Sequence, residues 1–203
     1  MHEEILTKEQ NDLLPLIKGF SGKFGLVGGT AIALHIGHRR SIDFDLFTKK
    51  HFYNMQIRNK IREEYKIEHV FVDRPNELTI KINSVKTTFF KYPFDIQYPL
   101  KLKNIINIPD LLTLASMKVF ALGSRAKWKD YVDLYFIFKK YSLADVSNKA
   151  KVLFGGEFNE RLLREQLAYF KDINYSEEVI YLKGFDVSDK HIRDTLTKIS
   201  LQV

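Results

Sequence analysis

Asp43 and Asp45 stand one residue apart in "SIDFDLFT", at the end of the longer stretch "GLVGGTAIALHIGHRRSIDFDLFTK" that runs from Gly25 to Lys49. On a β-strand, residues i and i+2 point the same way, so the two carboxylates share a face with Ser41. Adjacent carboxylates repel, and a fold that holds them together must supply a cation, either a metal or Arg and Lys side chains. Magnesium suits the first case, because it takes hard oxygen ligands and completes its shell with water and substrate phosphates. Arg39 and Arg40 suit the second, in which the pair is simply a solvated strand face. Upstream, Gly28 and Gly29 lie between a short strand and a helix, where missing side chains let backbone N–H groups approach a phosphate at the helix N-terminus. A tight turn with close helix–strand packing is the plainer reading of the same glycines. Thr30 adds a hydroxyl that either caps the helix or bonds a phosphate oxygen. Arg40 is given a structural or phosphate-facing role, since Ser41 follows it directly into the strand. His35 and His38 lack a third ligand at helical spacing, which argues against zinc.

A second chemically unusual passage is "MKVFALGSRAKWKDYVDLYF". Lys118 lies inside an otherwise apolar helix, where burying its alkyl stem is cheap and burying its ammonium is not; it must snorkel or meet an anion. Asp130 and Asp133 fall on one side of the next helix, and Lys129 is four residues before Asp133. One reading is an internal network, Arg125 or Lys129 with Asp133, that fastens two helices together. The other has Lys118 contacting a triphosphate while Asp133 orients a basic residue or the attacking group.

The surrounding pattern must position these groups. Thr7 and Gln10 have capping-box spacing ahead of Leu13, Leu14, Leu16 and Ile17, predicting a helix that Pro15 bends or breaks. Gly25 to Val27 reads as a strand, "TAIALHIG" as a helix ending at Gly37, and Ser41 to Thr48 as a strand with Ile42, Phe44 and Leu46 on its apolar face. A helix over "HFYNMQIRNKIREEY" leads to three strands, "KIEHVFVD", "LTIKIN" and "VKTTFFKY", and "NIINI" adds a short edge strand. Helices follow from Pro109 onward, with "AKWKDYVDLYFIFKKY" apolar on most sides and so packed centrally. The chain is thus expected to be α/β (α+β): a mixed sheet with flanking helices over residues 1–108, then a helical region over 109–203.

With 203 residues, 45% of them hydrophobic, the chain can bury one good core or two small ones. A formal net charge of +7 suits polyanionic partners. A basic RNA-binding module is therefore a rival reading, weakened by Lys and Arg residues spread along the chain with no long basic run. The absence of cysteine excludes thiolate catalysis, disulfides and thiolate metal sites. An acidic, polar start and no apolar run of membrane length predict a cytoplasmic protein with no membrane partner.

The glycine pair, the arginine-serine and the DxD of "GLVGGTAIALHIGHRRSIDFDLF" resemble the signature of the minimal, polymerase-beta-like nucleotidyltransferase domain. "LASMKVFALGSRAKWKDYVDLYFIF" is similar to the lysine, arginine and KD..DL segment of its AbiEii/AbiGii toxin-like branch. The likeness covers about residues 20 to 140. It implies transfer of a nucleoside monophosphate from a Mg-NTP to a hydroxyl, often at a tRNA 3′ end, by a toxin paired with a separate antitoxin. It also implies that Gly28, Gly29 and Thr30 hold phosphate, that Asp43 and Asp45 hold magnesium, that Lys118 sits by the nucleotide phosphates, and that Asp133 completes the second motif. Arg40, Ser41, Arg125, Lys129 and Asp130 match as supporting positions. The sequence departs from the family pattern at Thr88, where many such enzymes carry a third carboxylate; Asp73, Glu77, Asp95 and Asp133 are the candidate substitutes. A nucleotide-binding protein without transfer activity, and an enzyme that adds AMP to protein, are the alternatives this leaves.

Overall fold

A computed structural model describes residues 1–122 and 127–202. Helix α1 (Lys8–Lys18) begins on Thr7, whose side chain accepts from the Gln10 N–H while Gln10 reaches back to the Thr7 N–H. Pro15 does not break it: its ring is exposed, and Leu13, Leu14, Leu16 and Ile17 on either side are buried, so packing holds the turn that proline weakens.

Strand β1 (Gly25–Val27) runs into α2 (Gly28–Ile36), which ends at Gly37 in the left-handed region, φ 77°. Strand β2 is Phe44–Thr48, shorter than the sequence pattern suggested, and Ile42 lies outside it, 52% exposed rather than on the core face. Residues 41–43 are instead tied back onto α2 by side-chain bonds, as described below. Helix α3 (Asn54–Arg62) leads to β3 (Ile67–Arg74), β4 (Glu77–Ile82) and β5 (Val85–Lys91). The five strands form one mixed sheet in the order β1-β2-β5-β4-β3. Only the β2–β5 pairing is parallel within it, and that pairing places Asp45 directly opposite Thr88. Thr88 in turn faces Thr79 on β4. Leu46, Phe89, Leu78 and Ile80 point from the other side of these strands into the core.

The "NIINI" segment forms β7 (Ile106–Ile108), paired antiparallel with β6 (Leu100–Leu102), which the sequence pattern did not reveal. Asp110, just after Pro109, caps α4 (Leu111–Leu122) by accepting from the Thr113 N–H at 2.7 Å. Helix α5 (Trp128–Ile137) is buried along almost its whole length, as its all-round apolarity requires. Helices α6 (Leu143–Phe154), α7 (Glu160–Ala168) and α8 (Asp189–Ser200) complete the helical region. Buried apolar residues from Ile5 to Leu196 form one contiguous cluster. Among the described residues no helix is long and apolar enough to cross a membrane.

Candidate functional site

A cavity of about 630 Å³ lies between one face of the five-stranded sheet and the helices of the second half. Asp45, Thr88 and Thr79 line it from β2, β5 and β4, with Asp43 at the lip of β2 and Gly28 and Gly29 at the start of α2. Lys118 from α4, Lys127, Lys129 and Asp130 from the start of α5, and Glu177 from the segment before α8 close the other side.

The glycine pair is explained by what its missing side chains would strike. Gly28 has φ +73°, and a Cβ there would sit 2.1 Å from Asp45 Oδ2; a Cβ on Gly29 would meet Arg39 Nη2 at 2.8 Å. One glycine therefore lets the Asp45 carboxylate lie against the first turn of α2, and the next admits a guanidinium. Thr30 is 2% exposed and does not line the cavity. Its hydroxyl is hydrogen-bonded to Ser41 Oγ at 2.9 Å and donates to the Asp43 carbonyl, so it fixes the loop that carries Asp43. Ser41 is both part of that tie and part of the cavity wall.

Beneath the wall lies a buried ionic network centred on Asp133, which is fully buried. Arg39 grips it with two bonds, Nε to Oδ1 at 2.7 Å and Nη2 to Oδ2 at 2.9 Å, and His38 Nε2 lies 2.8 Å from Oδ1. Lys118 Nζ lies 2.9 Å from Asp133 Oδ2 and 2.6 Å from Asp130 Oδ1. Burial alone would raise the Asp133 carboxyl, but Arg39, Lys118 and His38 outweigh it and hold the group well below the usual carboxylate range. Burial likewise pulls the Lys118 ammonium down, and Asp130 and Asp133 more than restore it. Burial lowers His38, so the imidazole is neutral and donates to Asp133.

These contacts revise several sequence expectations. The cations on Asp133 are Arg39, 94 residues away, and Lys118, rather than Lys129, whose ammonium lies 3.4 Å from Glu177. Arg40, given a structural or phosphate-facing role, has its side chain off the cavity wall, whereas Arg39 is buried and lines it. Asp133 is likewise off the wall, and Asp95 pairs with Lys49 away from the cavity, so neither replaces the carboxylate missing at Thr88. Asp73 pairs with Arg58. Glu77 does reach the wall. Arg125 lies outside the described residues.

What sequence reasoning missed is the segment 174–182. Its backbone is pinned at one end by the Trp128 N–H donating to the Asn174 carbonyl, and at the other by the Arg40 N–H to Ile180 and the Leu182 N–H to His38. Glu177, between the pins, lies 2.5 Å from Lys127 Nζ, and that contact holds its carboxyl below the usual range. Nothing in "NYSEEVIYL" signals this, because the segment belongs to no periodic element.

Asp43 and Asp45 are the residues that would hold the magnesium expected from the sequence. Asp43 and Asp45 are hard oxygen donors on one wall, with room beside them for phosphate oxygens. Among the described residues no group of three His, Cys, Asp or Glu could hold an ion by itself, so the remaining ligands would come from substrate and water. Burial raises Asp43, with Lys86 the strongest opposing charge.

A family model described as nucleotidyl transferase AbiEii toxin, type IV TA system, matches residues 17–180. An uncharacterized protein of Aquifex aeolicus is 29% identical over 175 residues, spanning 82% of this chain and 84% of that one. Among solved structures, the MenT4 nucleotidyltransferase toxin of Mycobacterium tuberculosis superposes with a TM-score of 0.57 at 14% identity, covering 96% of this chain and 85% of that one. JHP933 of Helicobacter pylori does so with a TM-score of 0.51 at 15% identity, covering 98% and 88%. At these identities the likeness is one of fold.

Proposed function

This chain belongs to the nucleotidyl transferase AbiEii toxin family of type IV TA systems, and from that premise we propose that it transfers a nucleoside monophosphate from a Mg-NTP to a hydroxyl at the 3′ end of a tRNA, in the cytoplasm and under the control of a cognate antitoxin. The observation that carries the proposal is the placing of Asp43 and Asp45 on one cavity wall beside the N-terminus of α2. The triphosphate lies across Gly28 and Gly29, where helix-terminal N–H groups favour negative charge, with Lys127 and Lys129 on the far side. Magnesium held by Asp43 and Asp45 would neutralise phosphate charge and polarise the α-phosphoryl group. The acceptor hydroxyl gives up its proton to solvent water as its oxygen attacks the α-phosphorus in line, the new P–O bond forms as the bond to the bridging oxygen breaks, and pyrophosphate leaves. Lys118, Asp130 and Arg39 on the wall, and Asp133 behind it, fix the wall through their shared ion pairs.

Incubating the protein with labelled NTPs, magnesium and either total RNA or total protein tests this. Label is expected on RNA 3′ ends and should vanish on chelation. Label confined to the protein fraction would point to AMP addition instead. Thr88 opposite Asp45 motivates the second reading, nucleotide binding without transfer; it predicts magnesium-dependent NTP binding by calorimetry and label on neither fraction.

Glu177 occupies the two lysines that a phosphate would need. Glu177→Gln frees them while leaving the backbone pins of the segment intact. An exposed pair of this kind is worth roughly 0.2–1 kcal/mol, so Mg-NTP should bind about 1.5- to 5-fold more tightly in calorimetry. A weaker affinity would instead make Glu177 a ligand of the bound nucleotide-metal complex.

A further inference from the structure

Phe71 and Val72 are consecutive residues of β3, yet both line the cavity. Regular alternation forbids this, since neighbours on a strand face opposite sides. The register shows how it is achieved: Val70 pairs with Ile80 and Val72 with Thr79, so Phe71 is an extra residue with no partner of its own. Bulges of this kind re-aim side chains and are common beside active sites. Here the result is an aromatic ring 51% exposed at the cavity rim, with the His69 ring 4.6 Å away and Lys86 Nζ 5.6 Å from its centroid. Lys86 itself lines the cavity, and its charge reaches Asp43.

We propose that Phe71, with Lys86, is a stacking shelf for an unpaired nucleobase near the 3′ end of a single-stranded RNA segment entering the cavity; this rests on the transfer reaction proposed above. Three features select that occupant. An aromatic face with a cation above it suits a base attached to phosphates, whereas an apolar protein side chain would gain nothing from Lys86. The ring is open to solvent, as a large ligand arriving from outside requires. Asp45, Thr88, Thr79 and Val72 form one transverse row across β2, β5, β4 and β3, which places the shelf three strand spacings, about 14 Å, from the DxD wall. That position lies on the opposite side of the sheet face from the α2 N-terminus, where the triphosphate is placed. A base held there leaves the chain end free to reach the α-phosphorus.

The test compares wild type, Phe71→Ala and Phe71→Trp in three measurements: binding of a fluorescent single-stranded RNA octamer, calorimetric binding of Mg-NTP, and thermal melting. Stacking of one base predicts that Phe71→Ala weakens octamer binding about tenfold or more, with Mg-NTP affinity and melting temperature unchanged. Phe71→Trp should restore octamer binding, with indole emission quenched as RNA is added. Unchanged octamer binding in Phe71→Ala overturns the proposal. So does a loss confined to Mg-NTP, which would assign the ring to the incoming nucleotide, and so does a wild type that binds no octamer. A wild type that binds RNA through Phe71 yet labels no acceptor leaves the shelf standing and removes the transfer reaction alone.

Discussion

Lys118→Met is expected to lower stability by about 3–5 kcal/mol, the range seen when one partner of a buried ion pair is removed. Methionine keeps the aliphatic bulk, so the loss is not one of packing. It is one of compensation: among the described residues Lys118 lies 2.6 Å from Asp130 and 2.9 Å from Asp133, and all three side chains are at most 5% exposed. Removing the Lys118 charge takes an ion-pair partner from each carboxylate and leaves Asp133, among the described residues, to Arg39 and His38 alone, against a burial that already disfavours its charge. For a chain of this size each kcal/mol is worth roughly 2–4 °C in melting temperature, so a drop of about 10 °C is anticipated. Asp133→Asn should cost at least as much, because it leaves Arg39 and Lys118 without their shared partner. The pH response provides a second signature. With its folded pKa depressed, Asp133 contributes stability that is present above the ordinary aspartate range and is lost as pH falls through the folded value. Asp133→Asn should flatten that acid limb. A Lys118→Met protein that melts at the wild-type temperature would show the ammonium to be free for phosphate rather than committed to the network.

Asp43→Asn and Asp45→Asn are each expected to remove transfer activity by about 10³-fold or more, since metal stabilisation of a phosphoryl transition state supplies several kcal/mol at about 1.4 kcal/mol per tenfold. Stability should move the other way in Asp43→Asn. Burial raises the Asp43 carboxyl, Glu177 adds to the rise, and Lys86, Lys129 and Lys127 oppose it. The folded protein therefore holds that proton more tightly than the unfolded chain does. Ionised Asp43 costs stability: its favourable contribution is present below the ordinary aspartate range and is lost as pH rises through the raised value. At neutral pH the amide escapes that cost, so metal-free Asp43→Asn should melt at or above wild type. A carboxylate serving only to pair with lysines would show the reverse, full activity with reduced stability. Melts in chelator beside the labelled-NTP assay separate the two.

The local features of this chain were set by its local sequence. The Thr7 and Gln10 cap, the helix ended by Gly37, the buried α5 and the three strands before Tyr92 each follow from short-range periodicity or capping, and each is present. The DxD beside a glycine pair was legible as chemistry for a similar reason: like charges at i and i+2, next to a turn stripped of side chains, are costly unless something binds there. Tertiary structure decided which charges meet. Arg39 finds Asp133 across 94 residues, Glu177 reaches Lys127 across 50, and Gly29 is small because Arg39 needs the space. Spacing rules see only neighbours on one element, so they offered Arg125 or Lys129 for Asp133, and adjacency to Ser41 gave Arg40 the structural or phosphate-facing role. The bulge that turns Phe71 into the cavity was equally hidden, since a strand with one extra residue has the same composition as a regular one and differs only in its register against β4. Ion pairing and register are properties of two segments at once. No single stretch of sequence contains them; the topology that brings β2 beside β5 and α2 beside α5 does.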